Sequence, residues 1–300
     1  MNFKLSSKIL LPLLILRLFT NTYAEDISTE GNLNFEGDLN FESLSSTIAI
    51  VDMPENINKE TAQNAVNTIW QIRDDETISG AVLKINCSGG AAGSSYFIFS
   101  ELQKLAEKKP IVSFVENGAL SGGYMMVAAT NYIVATPTST LGSIGVISTI
   151  TKLSDIHLKD NGIEAAQTNH IITSGEYKAD TNPYTQLEKR ALTYQAYISN
   201  SIYEEFCKIV ANSRNLDLND HLNWANGREI PARKALEFNL IDEIGDLDTA
   251  LNKVKELLNK DHKNINKKTN YKLRMIDVCS EKKNDEPSKN EANSSSSFKL

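Results

Sequence analysis

With only three cysteines and four histidines in 300 residues, the chain has little material for chemistry that needs clusters of either. Cys87, Cys207 and Cys279 are odd in number and widely scattered, which is not a disulfide framework. No pair of them has metal-ligand spacing, so they read as isolated thiols in or near a core. His157, His170, His221 and His262 all lie outside glycine-rich turns. The usual base of a serine nucleophile is therefore missing from the places where such a nucleophile would sit. Basic side chains are also scarce: 31 Lys and Arg against 38 Asp and Glu give a net charge of −7. With no basic patch interleaved with aromatics, a nucleic-acid surface is excluded. Long hydrophobic runs are absent after the first 24 residues, and no residue set for a metal or cofactor stands out.

What is present starts with a targeting pattern. Lys4 and Lys8 precede the apolar run Ile9 to Leu16, broken by Pro12, and Thr22-Tyr23-Ala24 offers a small-residue cleavage site. The run is about half of the ~20 residues a spanning helix needs, so residues 1–24 are expected to be a signal peptide rather than an anchor. Residues 25–44 are polar and acidic, with Asn-Phe-Glu at 34–36 and again at 40–42, and read as a linker. Residues 45–258 carry the patterned body of the chain. Residues 259–300 turn rich in Lys, Asn, Ser and Glu, a polar and partly disordered tail in which 271–278 could form one more strand.

Within the body, strands alternate with helices. Thr47 to Val51, Gly80 to Ile85, Pro110 to Val115 and Tyr132 to Ala135 are apolar runs of strand length. Between them, Asn58 can cap a helix whose Ala62, Ala65, Val66, Ile69 and Ile72 recur at helical spacing. Ser94 to Lys108 and Ser121 to Thr130 supply two more helices. This alternation predicts an α/β fold with parallel strands joined by crossovers. The later part is more helical: Thr185 to Ala211, Ala232 to Phe238 and Leu247 to Leu258. Asn239 falls where a left-handed residue would end a helix.

Four polar segments could carry chemistry. Asn86-Cys87-Ser88-Gly89-Gly90 follows a strand, and paired glycines there can turn the backbone and present N–H groups to an oxyanion. Gly118 to Tyr124 places Ser121 at a helix start, where a serine is either an N-cap or a hydroxyl beside unpaired N–H groups and the positive end of the dipole. Gly142-Ser143-Ile144-Gly145 is a close-approach loop or a plain turn. In Ser174 to Asp180, Lys178 is either solvated surface or, if neutral, a base.

In this order and spacing the segments resemble the signal peptide peptidase A family of bacterial serine peptidases. Leu120 to Tyr124, Thr140 to Val146, Ser174 to Lys178 and Ala235 to Gly245 add to the Asn86 to Gly90 turn. The resemblance implies a Clp protease/crotonase-like fold, a repeated β-β-α superhelix with a helical C-terminal part. It implies Ser121 as nucleophile, Lys178 as general base, and the N–H groups of Gly90 and Gly122 as the oxyanion hole. Gly89, Gly123 and Ser143 would support them. It further implies a homo-oligomer with sites shared between subunits and no cofactor. The substrates would be peptides or unfolded exported proteins, notably cleaved signal peptides. The setting would be the periplasm, or the periplasmic side of the inner membrane with peripheral or N-terminal attachment.

Two departures stand against the family pattern. Cys87-Ser88 replaces the usual Ser-Pro before the paired glycines, which loosens the turn. Glu176 and Asp180 flank Lys178 and, if aimed at its amine, would favour the charged form. These departures motivate one alternative, a weak or inactive peptide-binding ring on the same fold. A crotonase-type acyl-CoA enzyme is a second, though it leaves the Ser121–Lys178 pair unexplained.

Overall fold

The computed structural model describes residues 46–152, 171–261 and 270–278. The leader, linker and final tail expected from the sequence lie outside the described residues, as do His157, His170, His262 and Cys279. All described residues fall in one compact unit.

The chain begins with β1 (Thr47–Asp52), α1 (Lys59–Asp74), β2 (Ile78–Cys87), α2 (Ala92–Ala106), β3 (Ile111–Leu120) and α3 (Gly122–Ala128). It continues through β4 (Tyr132–Ala135), β5 (Thr140–Gly142), α4 (Lys189–Arg214), α5 (His221–Trp224) and β6 (Glu229–Pro231). It ends with α6 (Ala232–Glu237), β7 (Glu243–Ile244), α7 (Leu247–Asp261) and β8 (Lys272–Asp277). The fold is α/β, as expected. The strands form one sheet in the order β6-β5-β3-β2-β1-β8, with β4 beside β3 and β7 beside β4. Every pairing is parallel except β5 with β6.

Local chemistry explains the boundaries. Asn58 accepts from the N–H groups of Glu60 and Thr61, and Thr61 Oγ1 accepts from the Asn58 N–H, a reciprocal cap that starts α1. The expected inward positions of α1 are all buried. Asn239 takes φ 57° after α6. The sheet is covered on both faces, so its central strands carry continuous apolar runs, such as Ile48 to Val51 and Ala81 to Leu83, rather than strict alternation. Ala49, Val51, Leu83 and Ile85 face the side packed by α1, α2 and α3. Ile48, Ile50, Val82, Val112 and Phe114 face α7 through Ala250, Val254 and Leu258. No helix among the described residues is long and apolar enough to cross a membrane.

β3 differs from expectation in a way that matters. It runs five residues past Val115, through Glu116-Asn117-Gly118, which looks like loop. Val112 to Val115 pair with β4, whereas Gly118 to Leu120 pair with β5. On its other side the register with β2 slips, so that Ile85 faces Val115 but Cys87 faces Ala119. The slip bends the strand ends and carries Leu120 and the residue after it up beside the end of β2.

Candidate active site

The turn after β2 is stitched to the loop between β1 and α1. Ser88 donates to the Glu55 carbonyl from its N–H at 2.9 Å and its Oγ at 3.2 Å. The Ile57 N–H donates to the Gly89 carbonyl at 2.8 Å, and the Ala91 N–H to the Ile57 carbonyl at 2.9 Å. These bonds hold Gly90 against Ile57 at φ 156°, where an added Cβ would stand 1.9 Å from the Ile57 carbonyl oxygen. Only glycine fits. The proline missing at residue 88 is thus offset by hydrogen bonds, and Cys87 adds another by accepting the Gly89 N–H on Sγ at 3.4 Å. Burial pushes the Cys87 thiol up to about 11. The Gly90 N–H has no acceptor among the described residues.

Ser121 stands directly against this turn: a Cβ on Gly89 would lie 2.8 Å from Ser121 Cβ. The Ser121 N–H donates to the Gly142 carbonyl at 2.7 Å, extending the β3–β5 ladder by one bond. Its carbonyl accepts from Tyr124 and Met125, opening α3. Ser121 occupies the N-cap position, yet its side chain makes no capping hydrogen bond. Its backbone sits at φ 52° and ψ −121°, outside the regions a side chain normally allows. Such a residue costs on the order of 1–3 kcal/mol and persists only where its surroundings over-determine it.

Those surroundings are close-packed. An added Cβ on Gly122 would lie 2.1 Å from the buried Ser95 Oγ of α2, and one on Gly123 would lie 2.6 Å from the Cys87 carbonyl oxygen. The Gly122 N–H begins the helix with no acceptor among the described residues. Every residue of α3 is buried. Tyr124 donates its phenol to the Leu240 carbonyl at 2.8 Å, and burial pushes that phenol well above its ordinary range. Ser95 and the Gly142 carbonyl are contributions the sequence reading missed. Ser95 carries no signal beyond its helical position, whereas Gly142 lies in a segment already singled out.

Ser143 follows Gly142 in the same strained stretch. Its φ is 48°, and its N–H donates to the Arg228 carbonyl at 2.9 Å. The β5–β6 edge thus fixes both the Gly142 carbonyl under Ser121 and the start of the loop carrying Ser143. The structure brings Ser121, Gly89, Gly90, Gly122, Gly123 and Ser143 into one neighbourhood.

Lys178 lies in a surface loop with its side chain exposed. Its N–H donates to the Gly175 carbonyl at 3.1 Å. No hydrogen bond or ion pair joins its side chain to Ser121 or to any other described residue of the chain. The acids flanking it turn to Arg190 instead: Glu176 Oε1 lies 3.0 Å from Nη1, and Asp180 Oδ1 lies 3.0 Å from Nη2. A groove of about 580 Å³ opens beside this loop, lined by Tyr177, Tyr194 and Tyr197 with Lys189 and Arg190. His221, the described histidine, sits with Nδ1 2.8 Å from the Leu218 carbonyl oxygen, on a different element from Ser121.

The family model for peptidase family S49 matches residues 103–261, which include Ser121, Gly122, Ser143 and Lys178. A protein of Methanocaldococcus jannaschii named as a protease is 32% identical over 67% of this chain and 63% of its own length. A protein of Enterococcus faecium named for signal peptide peptidase SppA is 32% identical over 65% of this chain and 55% of its own. Protease 4 of Salmonella typhi is 30% identical over 69% of this chain and 32% of its own. The chain thus spans less than two thirds of the length of these relatives. The names agree with the resemblance drawn from the Leu120 to Tyr124 and Ser174 to Lys178 segments. The match extends through more than half of the chain, strained serine and lysine loop included, and by it the chain belongs to peptidase family S49.

Proposed function

We propose that this chain is a serine endopeptidase in which Ser121 is the nucleophile and Lys178 the general base. The observation that carries the reading is Ser121 itself, a serine held at φ 52° at a helix start with its hydroxyl uncommitted to capping. Backbone strain of this kind is retained where it aims a group. Oγ attacks the peptide carbonyl as Lys178 takes its proton. The unpaired N–H groups of Gly90 and Gly122 stabilise the oxyanion, Lys178 protonates the leaving amine, and water then releases the acyl group. The hydrogen-bonded Cys87-Ser88 turn supports the hole, since it is fixed without the family's proline.

An exposed Lys178 whose side chain has no partner among the described residues favours a base delivered to a neighbouring subunit, hence a homo-oligomer with shared sites. We assign the substrates to exported or membrane-released peptides such as cleaved signal peptides, met on the periplasmic side of the envelope. The inactive-ring alternative drew on the acids beside Lys178. Their capture by Arg190 weakens it.

Ser121→Ala and Lys178→Ala should each abolish hydrolysis of a fluorogenic peptide, and a serine-directed phosphonate should label Ser121. Random mixing of the two variants at a heterologous interface should restore about a quarter of wild-type activity. Turnover by either variant alone sinks the dyad. Two dead variants with no complementation place both residues of one site in one subunit.

A further inference from the structure

A carboxylate within about 4–6 Å of an amine favours its ammonium form, and an ammonium cannot accept a proton. Lys178 has a carboxylate residue two positions to either side, Glu176 and Asp180. The dyad reading, on which this inference rests, therefore carries a liability inside its own loop.

One side chain removes it. Arg190 reaches back from the first turn of α4 and spends its fork on these acids. Nη1 donates to Glu176 Oε1 at 3.0 Å, and Nη2 donates to the Glu176 carbonyl at 3.2 Å and to Asp180 Oδ1 at 3.0 Å. Nε lies 3.0 Å from Glu188 Oε2. The guanidinium stands over the Tyr177 ring, 5.2 Å from its centroid, and Tyr177 leans on Tyr194 at 5.3 Å. A planar guanidinium can hold several acceptors at fixed angles while stacking on an aromatic face; a lysine in its place could not.

We propose that Arg190 is a positioning residue that holds Glu176 and Asp180 off the Lys178 amine, leaving that amine free to be neutral when it meets Ser121. The remaining charges around the loop fit this role. Lys152 Nζ donates to the carbonyl oxygens of Asp180 and Asn182 at 3.2 and 2.6 Å, bracing the loop from the other side. Lys189 lines the groove beside Arg190, with Tyr177 and Tyr194. Glu176, Asp180 and Glu188 are thus all engaged by Arg190 without drawing on Lys178. Loss of Arg190 would break these pairs and release three carboxylates together. Asp180 would be the most damaging, since its Oδ2 is already buried with no partner among the described residues. A second buried acceptor seeking a donor would find the Lys178 amine nearby in sequence.

The test is the pH dependence of kcat/KM of the full chain on a fluorogenic peptide. For wild type, activity rises with pH as the base loses its proton. In Arg190→Gln this rising limb should move to higher pH by about one unit, a ~10-fold loss at any pH on the limb with the plateau retained. Adding Glu176→Gln and Asp180→Asn should return the limb to its wild-type position. Arg190→Lys, which keeps the charge but not the fork, should give an intermediate shift. A limb that stays in place in Arg190→Gln and Arg190→Lys, whatever happens to the plateau, overturns the proposal. So does a limb that neutralising the acids fails to return. Failure of the dyad itself looks different: Lys178→Ala would then keep turning over, whatever Arg190 does.

Discussion

Around Ser121 the neighbours are buried, and their fit is set by backbone: Cys87, Ala119, Tyr124 and Met126 are almost wholly excluded from water. Around Lys178 they are exposed. Tyr177, Tyr194 and Tyr197 keep about half of their surface in solvent, and the loop is held by ion pairs to one arginine. The first region is close-packed, where a methyl group has nowhere to go. The second rests on surface pairs, typically worth 0–1 kcal/mol each, and it can adapt to what docks against it. A nucleophile and an oxyanion hole gain from being preorganised. A base that arrives with a partner gains from being adjustable. The contrast explains why the two halves of one proposed site share so little construction.

The contrast is open to attack from its packed side first. Gly122→Ala would push a methyl into Ser95 Oγ and displace the start of α3, and should lower kcat by about 10²–10³. Adding Ser95→Gly should recover part of it. Full activity in Gly122→Ala would mean that the packing there is not tight.

Next comes pH. The Cys87 thiol, pushed up from an ordinary 9.0 to about 11 by burial, keeps its proton in the folded chain after the unfolded chain has lost it. The resulting stabilisation is complete below pH 9 and disappears as pH rises through 11. It should amount to roughly 2–3 kcal/mol. Denaturant midpoints of wild type measured across that window should fall relative to those of Cys87→Ala. Parallel curves would refute the burial argument.

A smaller effect is expected at Tyr124→Phe, which strands the Leu240 carbonyl. Urea titration should show a loss of about 1–3 kcal/mol. Smallest of all, Glu176→Gln, which breaks only the exposed part of the Arg190 pairing, should change unfolding free energy by less than about 1 kcal/mol. A large stability loss there would erase the distinction between the regions.

Much of the packed region was legible in advance. The Asn58 cap, the inward face of α1, the left-handed Asn239 and the strand at 132–135 follow from local rules, because each is decided by its own few residues. The β3 extension was not legible. Glu116-Asn117-Gly118 has turn composition, and only pairing with β5 makes it strand. Nor could the sequence show that Ser121 adopts positive φ, since rules for that region anticipate glycine or asparagine. Its serine is kept there by Gly142, Ser95 and Cys87, all distant in sequence. Arg190 gave no signal at all. It lies fourteen and ten residues from Glu176 and Asp180, and an arginine at a helix start is unremarkable until the loop folds back.

The strand β8 has a consequence for how the molecule is made. It is the last described element, yet it pairs with β1, the first, along that strand's whole length from Thr47 to Asp52. A chain emerging from a ribosome therefore forms its interior strands while β1 still offers an open row of amides and carbonyls. That row stays available to any extended polypeptide until β8 is synthesised. Among the described residues β8 then ends the sheet, and it carries Lys272 and Arg274, whose charges deter further addition. Loss of this one segment would leave the β1 margin of the sheet uncovered.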